Sequence, residues 1–154
     1  MRRKEREISD RVIIEGIIKS SEICRVAFAD NNIPYIVAMN FGFSSGDNPS
    51  LYFHCAPSGR KLEIIKKNDY VCFQMDTDHL LIKGDKACDW GMKYRSIVGY
   101  GRLSVVENHE EKRKGLDLIM EHYGGSEKSD YDPGLLARTT LLRLDIDEIS
   151  AKQA

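Results

Sequence analysis

Apolar residues Val12, Ile13, Ile14, Ile17 and Ile18 recur at helical spacing behind Ser9 and Asp10, either of which can cap a helix. The spacing predicts a first helix that ends near Ser20. Shorter, strand-like runs follow: residues 23–30 read as a strand, Asn31 and Asn32 as a turn, and residues 34–43 as the returning arm of a hairpin. Beyond the polar loop 44–49 comes a strand at 51–55. From Ser58 the pattern turns helical, with Leu62, Ile64 and Ile65 apolar and Lys66 and Lys67 near the end, where cations suit the dipole. Residues 70–75 read as a strand and 76–89 as a polar loop broken only by Leu80, Leu81 and Ile82. A long strand is predicted over 93–106, with Gly99 and Gly101 as bulges or close backbone approaches. Asn108 to Glu111 open a helix with a capping-box-like start that carries Leu116, Ile119 and Met120. Residues 139–146 alternate as a half-buried strand should.

About six strands and three helices result, without regular βαβα alternation. A mainly β fold with peripheral helices, closed or partly closed as an antiparallel barrel, fits this order better than a doubly wound sheet. The 154 residues suit a single domain over 1–154, and 42% apolar with 31% charged residues is an ordinary globular balance. Net charge is −1, so no global field draws in nucleic acid or a membrane, and any anion site must be local. No apolar run is long enough to span a bilayer, and the charged opening Met1 to Glu7 is unlike a signal peptide, so a cytoplasmic address is expected. Cys24, Cys55, Cys72 and Cys88 form no C-x-x-C pair and read as buried free thiols; no metal site is expected.

The stretch from Tyr52 to Lys61 carries the strongest chemical signal. It reads as a strand handing over to a helix whose first turn holds Arg60 and Lys61, with Ser58 as N-cap and Gly59 allowing close approach. Cations at a helix start oppose the dipole unless an anion is present, so a phosphate site is expected here. His54, just before it, is either a hydrogen-bonded rim residue or a ligand contact. The strand around Val37, Met39 and Asn40 can read a planar heterocycle through its backbone, or Asn40 can simply face outward. Trp90 to Gly101 concentrates aromatic and basic residues on a scale that suits a nucleotide-like cofactor better than a nucleic acid. His79, His109 and His122 read as surface residues. No nucleophile elbow, P-loop or H-E-x-x-H is present, so any chemistry is the cofactor's own.

Three blocks in order, 35–42, 51–61 and 87–101, resemble the 5-nitroimidazole resistance proteins of the pyridoxamine 5′-phosphate oxidase-related superfamily, the FMN-binding split β-barrels; the likeness runs from Arg2 to the last strand. The resemblance implies that Ser58, Gly59, Arg60 and Lys61 hold the FMN phosphate, that Val37, Met39 and Asn40 line the isoalloxazine edge, and that His54 lies beside the cofactor as the best catalytic nominee. It also implies a homodimer with Arg95 and Ser96 reaching the flavin from the partner subunit. The expected function is a flavin-dependent oxidoreductase passing electrons from a reduced nicotinamide to a small acceptor such as a nitroimidazole; the alternative is a non-catalytic flavin- or haem-binding module. Superfamily members also bind haem or a deazaflavin, and FAD stays open beside FMN. The basic C-terminal segment of the vitamin-phosphate oxidases is missing from Ile149 to Ala154, which argues against pyridoxamine phosphate as substrate.

Overall fold

The computed structural model describes residues 3–125 and 130–154; Met1 and Arg2, which open the charged N-terminal run and the family likeness, lie outside the described residues. Helix α1 (Arg11–Ser20) is capped by Asp10, whose carboxylate accepts from the amides of Val12 and Ile13. Its apolar stripe is narrower than the spacing implied. Ile17 and Ile18 are buried, whereas Val12 is 79% exposed. β2 (Cys24–Asp30) and β3 (Ile33–Met39) form the expected hairpin. Asn31 and Asn32 close it at φ 50° and 67°, the left-handed pair that a two-residue hairpin turn requires.

The returning strand is shorter than predicted. It stops at Met39, because Asn40 and Phe41 carry the chain across to β4 (Gly42–Ser44), which pairs with β5 (Ser50–Cys55) instead of β2. Phe41 is fully buried, and its amide donates to the Tyr123 hydroxyl at 3.3 Å. A second correction concerns the predicted loop 76–89. β6 (Tyr70–Ile82) runs through the first half of it, shifting register between Thr77 and Leu80 and then pairing Leu80, Leu81 and Ile82 with Lys93, Met92 and Gly91 of β7 (Gly91–Val105). Polar composition reports exposure, and an exposed strand still pairs its backbone. Asp78, at φ 58°, makes the bulge.

β8 (Thr140–Gln153) runs seven residues beyond the predicted strand, pairing with β5 along its first part and with β7 along most of its length, while β1 (Glu7–Ile8) pairs with its end. Gly99 and Gly101 are close approaches, as predicted. A Cβ on Gly99 would lie 2.3 Å from the Phe73 ring, and one on Gly101 would lie 2.0 Å from the Asp145 carbonyl oxygen, where the β7–β8 register shifts. Helix α2 (Arg60–Ile65) follows β5. Helix α3 (His109–His122) starts on Asn108, which accepts from the amides of Glu110 and Glu111. A short helix not read from the pattern, α4 (Pro133–Ala137), has Asp132 as cap and proline in its first turn, both ordinary start signals.

Among the described residues the strands make one antiparallel sheet in the order β3-β2-β6-β7-β8-β5-β4, with β1 beside β8. This is a split barrel. β3 and β4 end the path, so the outer edge of β3 has no neighbouring strand. Phe28, Phe53, Phe73, Met75 and Ile97 fill the interior, and Ile17 and Ile18 belong to the same core. A smaller cluster of Tyr52, Val106, Ile119 and Leu141 lies beneath α3. No helix among the described residues is long and apolar enough to cross a membrane.

Candidate functional site

The unpaired edge of β3 opens onto a cleft of about 450 Å³. Its walls are Val37, Ala38 and Met39 of β3 with Asn40 after them; His54, Cys55 and Ala56 at the end of β5; Lys61 of α2; and Arg138 and Thr139, where α4 leads into β8. An edge strand leaves alternate N–H and C=O groups without partners, which is the array needed to read a heterocycle by its rim. Asn40 follows directly and stays exposed. The Tyr123 hydroxyl fixes the peptide beside it, accepting from Phe41 and donating to the Glu22 carbonyl at 2.7 Å.

β5 reaches the cleft at its last residues. Leu51, Tyr52 and Phe53 are buried, His54 is exposed and Cys55 half-buried. Both His54 and Cys55 line the cleft because the strand ends there and its final residues form a rim instead of two faces. Burial pushes the Cys55 thiol above its ordinary pKa, against a smaller opposing pull from Lys61, so it is protonated at neutral pH. The four cysteines are free, but only Cys24 is buried; Cys88 is exposed, unlike the buried thiol expected.

The turn after β5 differs from the expected cap. Gly59, at φ 145°, occupies the N-cap position of α2, and no side chain caps the helix, so Ser58 does not have that role. A residue with a Cβ would be strained there. The helix spans only six residues, and its field is correspondingly small; the charges of Arg60 and Lys61 matter more. Arg60 lies over the Tyr35 ring at 4.5 Å, fastening α2 to β3 across one side of the cleft. Lys61, half-buried, makes no ion pair among the described residues.

The fold therefore brings Val37, Met39, Asn40, His54 and Lys61 together, with Ser58, Gly59 and Arg60 in the adjoining turn. Arg95 and Ser96 are elsewhere. They sit on β7, away from the cleft; Arg95 is paired with the Asp78 carboxylate, and Ser96 is buried at 6% exposure. Arg138 and Thr139 were missed by sequence reasoning. Their only local signal was the Asp132-Pro133 helix start; the β5–β8 pairing, Cys55 with Thr140, is what brings them to the cleft. His122, read as a surface residue, is half-buried: its ring lies 4.2 Å from that of Phe41, and Nε2 is 2.8 Å from the Ser21 carbonyl oxygen.

Comparison with known proteins matches residues 10–153 to the pyridoxamine 5′-phosphate oxidase family. Among solved structures, a candidate 5-nitroimidazole antibiotic resistance protein from Bacteroides thetaiotaomicron is similar at 32% identity and a TM-score of 0.83, over 96% of this chain and 86% of that one. The flavocytochrome Anf3 from Azotobacter vinelandii shares the fold at 17% identity and a TM-score of 0.81, over 100% of this chain and 72% of that one. A FAD- and haem-binding protein from Mycobacterium smegmatis does so at 18% and 0.81, over 97% and 73%. No curated protein matches the chain.

Proposed function

The chain belongs to the pyridoxamine 5′-phosphate oxidase family, and from that premise we propose that it is an FMN-binding oxidoreductase of the cytoplasm that reduces a small acceptor such as a nitroimidazole. One observation carries the reading: the free edge of β3 and the Lys61 side chain of α2 face one cleft, whose ten lining residues include no carboxylate. This arrangement fits a planar ring with a phosphate tail. The β3 backbone around Val37 and Met39, with the Asn40 amide, takes the ring's polar edge. Ser58, Gly59, Arg60 and Lys61 take the phosphate, where the first helix amides lack intrahelical acceptors. His54, exposed in the cleft, is the side chain nominated to meet the reacting atoms.

FMN held by these residues would supply two-electron redox chemistry between a reduced nicotinamide and the acceptor. The protein's own part is to orient the ring, neutralise the phosphate and limit water at one face. The flavin-naming neighbours and the free thiols, which suit a reducing compartment, add support.

A homodimer completes the proposal. The β6–β7 hairpin leaves large apolar side chains uncovered near Arg95, with Leu80 56% and Trp90 51% exposed. On the sheet's outer face Ile36, Ala27, Cys72 and Tyr100 form one row across four strands, and Ile36 is 64% exposed. A second copy covering these surfaces carries Arg95 and Ser96 with it toward the flavin.

Purified protein is expected to be yellow and to release FMN on denaturation; a colourless preparation that takes up no added FMN overturns the reading. Anaerobic titration with reduced nicotinamide then separates the two roles. Bleaching marks a reductase, whereas flavin that stays bound and oxidised marks a storage or sensing module. A Soret band in place of flavin absorption makes haem the cofactor.

A further inference from the structure

Lys61 is not the only cation in the cleft. Arg138 lines it from a different element, and like Lys61 it makes no ion pair among the described residues. Two full positive charges thus share a small volume without a carboxylate, in a protein whose net charge is −1. Unbalanced charge of one sign in a concave site raises the local concentration of the opposite ion.

The corner that presents Arg138 is tied down. Its Nε donates to the Gly134 carbonyl at 3.2 Å, and Thr139 Oγ1 donates to the Leu135 carbonyl at 2.8 Å. Lys112 Nζ reaches the Leu136 carbonyl from α3 at 2.6 Å. Beyond Thr139, Thr140 pairs with Cys55 at the end of β5. The Nε bond orients the guanidinium and leaves its two terminal nitrogens for a planar, two-oxygen acceptor.

We propose that Arg138 is a specificity-determining residue: it recognises an oxyanion, carboxylate or phosphate, on the second ligand that enters the cleft beside the cofactor. The inference rests on the flavin reading for what occupies the rest of the cleft. On that reading the cofactor phosphate is held by Arg60 and Lys61 of α2, whereas Arg138 enters the cleft from the corner between α4 and β8 and adds a second anion locus.

The test uses FMN-loaded full-length protein and two probes of equal size, benzoate and benzamide, read by perturbation of the flavin absorption spectrum. Benzoate should bind wild-type protein about tenfold more tightly than benzamide, the scale of one charge-assisted hydrogen bond. R138A should abolish that preference, and R138K, which keeps the charge without the fork, should retain part of it. Equal binding of the two probes to wild type overturns the proposal. So does loss of FMN from R138A as complete as that from K61A, since Arg138 would then belong to the cofactor's phosphate grip. If wild-type protein takes up no flavin, the flavin reading fails separately. The same probes are then applied to the flavin-free protein by thermal shift: a rise in Tm with benzoate in wild type but not in R138A upholds anion recognition, and no rise in wild type overturns it.

Discussion

The cleft at the split of the barrel and the hairpin at the far end of β6 and β7 are incomplete in opposite ways. In the cleft, polar groups lack partners: the β3 edge is unpaired, and Lys61 and Arg138 have no carboxylate. At the base of the hairpin several charges are paired within the chain. Arg95 pairs with Asp78, and Asp76 takes both Arg25 at 2.8 Å and His79 at 2.7 Å. Toward its tip large apolar side chains are uncovered, from Leu80 and Leu81 to Trp90 and Met92, interspersed with the exposed charges of Lys83, Asp85, Lys86 and Lys93. The difference teaches what each region lacks. Under the proposed function, a small anionic ligand would complete the cleft and a second copy of the chain would cover the hairpin.

The largest effect is expected from breaking the polar side. Replacing Arg60 and Lys61 together by alanine should weaken FMN binding about a hundredfold or more, since each charge-assisted hydrogen bond contributes about 1.5–3 kcal/mol. Riboflavin, which lacks the phosphate, should bind both proteins alike in a fluorescence titration. An equal loss for the two flavins would mean that these residues shape the cleft and do not hold a phosphate.

Leu81→Asp attacks the apolar side. A charge buried at a hydrophobic contact is costly, so sedimentation should show monomer at concentrations where the wild type is dimeric. FMN affinity should fall about tenfold with it, because Arg95 and Ser96 would no longer arrive from a second copy. A variant that remains dimeric removes the hairpin from the interface.

The smallest effect concerns the paired charges at the base of the hairpin. The Gln74 hydrogen bond, followed by the Arg25 and His79 charges, holds the Asp76 carboxyl below the usual carboxylate range. A depressed carboxyl contributes stability above its unfolded pKa of about 3.9, and that contribution disappears as pH falls through the folded value. Asp76→Asn should therefore cost about 1 kcal/mol or less at pH 7, and the cost should shrink as the pH is taken below the unfolded value, by urea unfolding at neutral and acid pH. A cost that persists in acid would point to shape and not charge.

Much of this was legible in the residues. The caps at Asp10 and Asn108, the Asn31-Asn32 turn and the close approaches at Gly99 and Gly101 depend on near neighbours and stand where the pattern put them. The three ordered blocks led to the family. Harder to read was anything set by distant partners. The break at Asn40 follows from Phe41 entering the core and meeting Tyr123. The continuation of β6 past Thr77 follows from β7 offering a second ladder after the bulge.

Local alternation, capping and turn chemistry are short-range preferences, and by themselves they determined most element types and the mainly antiparallel architecture, and nominated residues for an anion site. Only the tertiary structure decided that the β3 edge stays open, that Arg138 and Thr139 stand across it beside Ala56, and that Arg95 lies elsewhere on the chain. Those facts depend on sheet order, which is set by pairings between strands far apart in sequence, such as β5 with β8. No local window of the chain contains both partners of such a pairing.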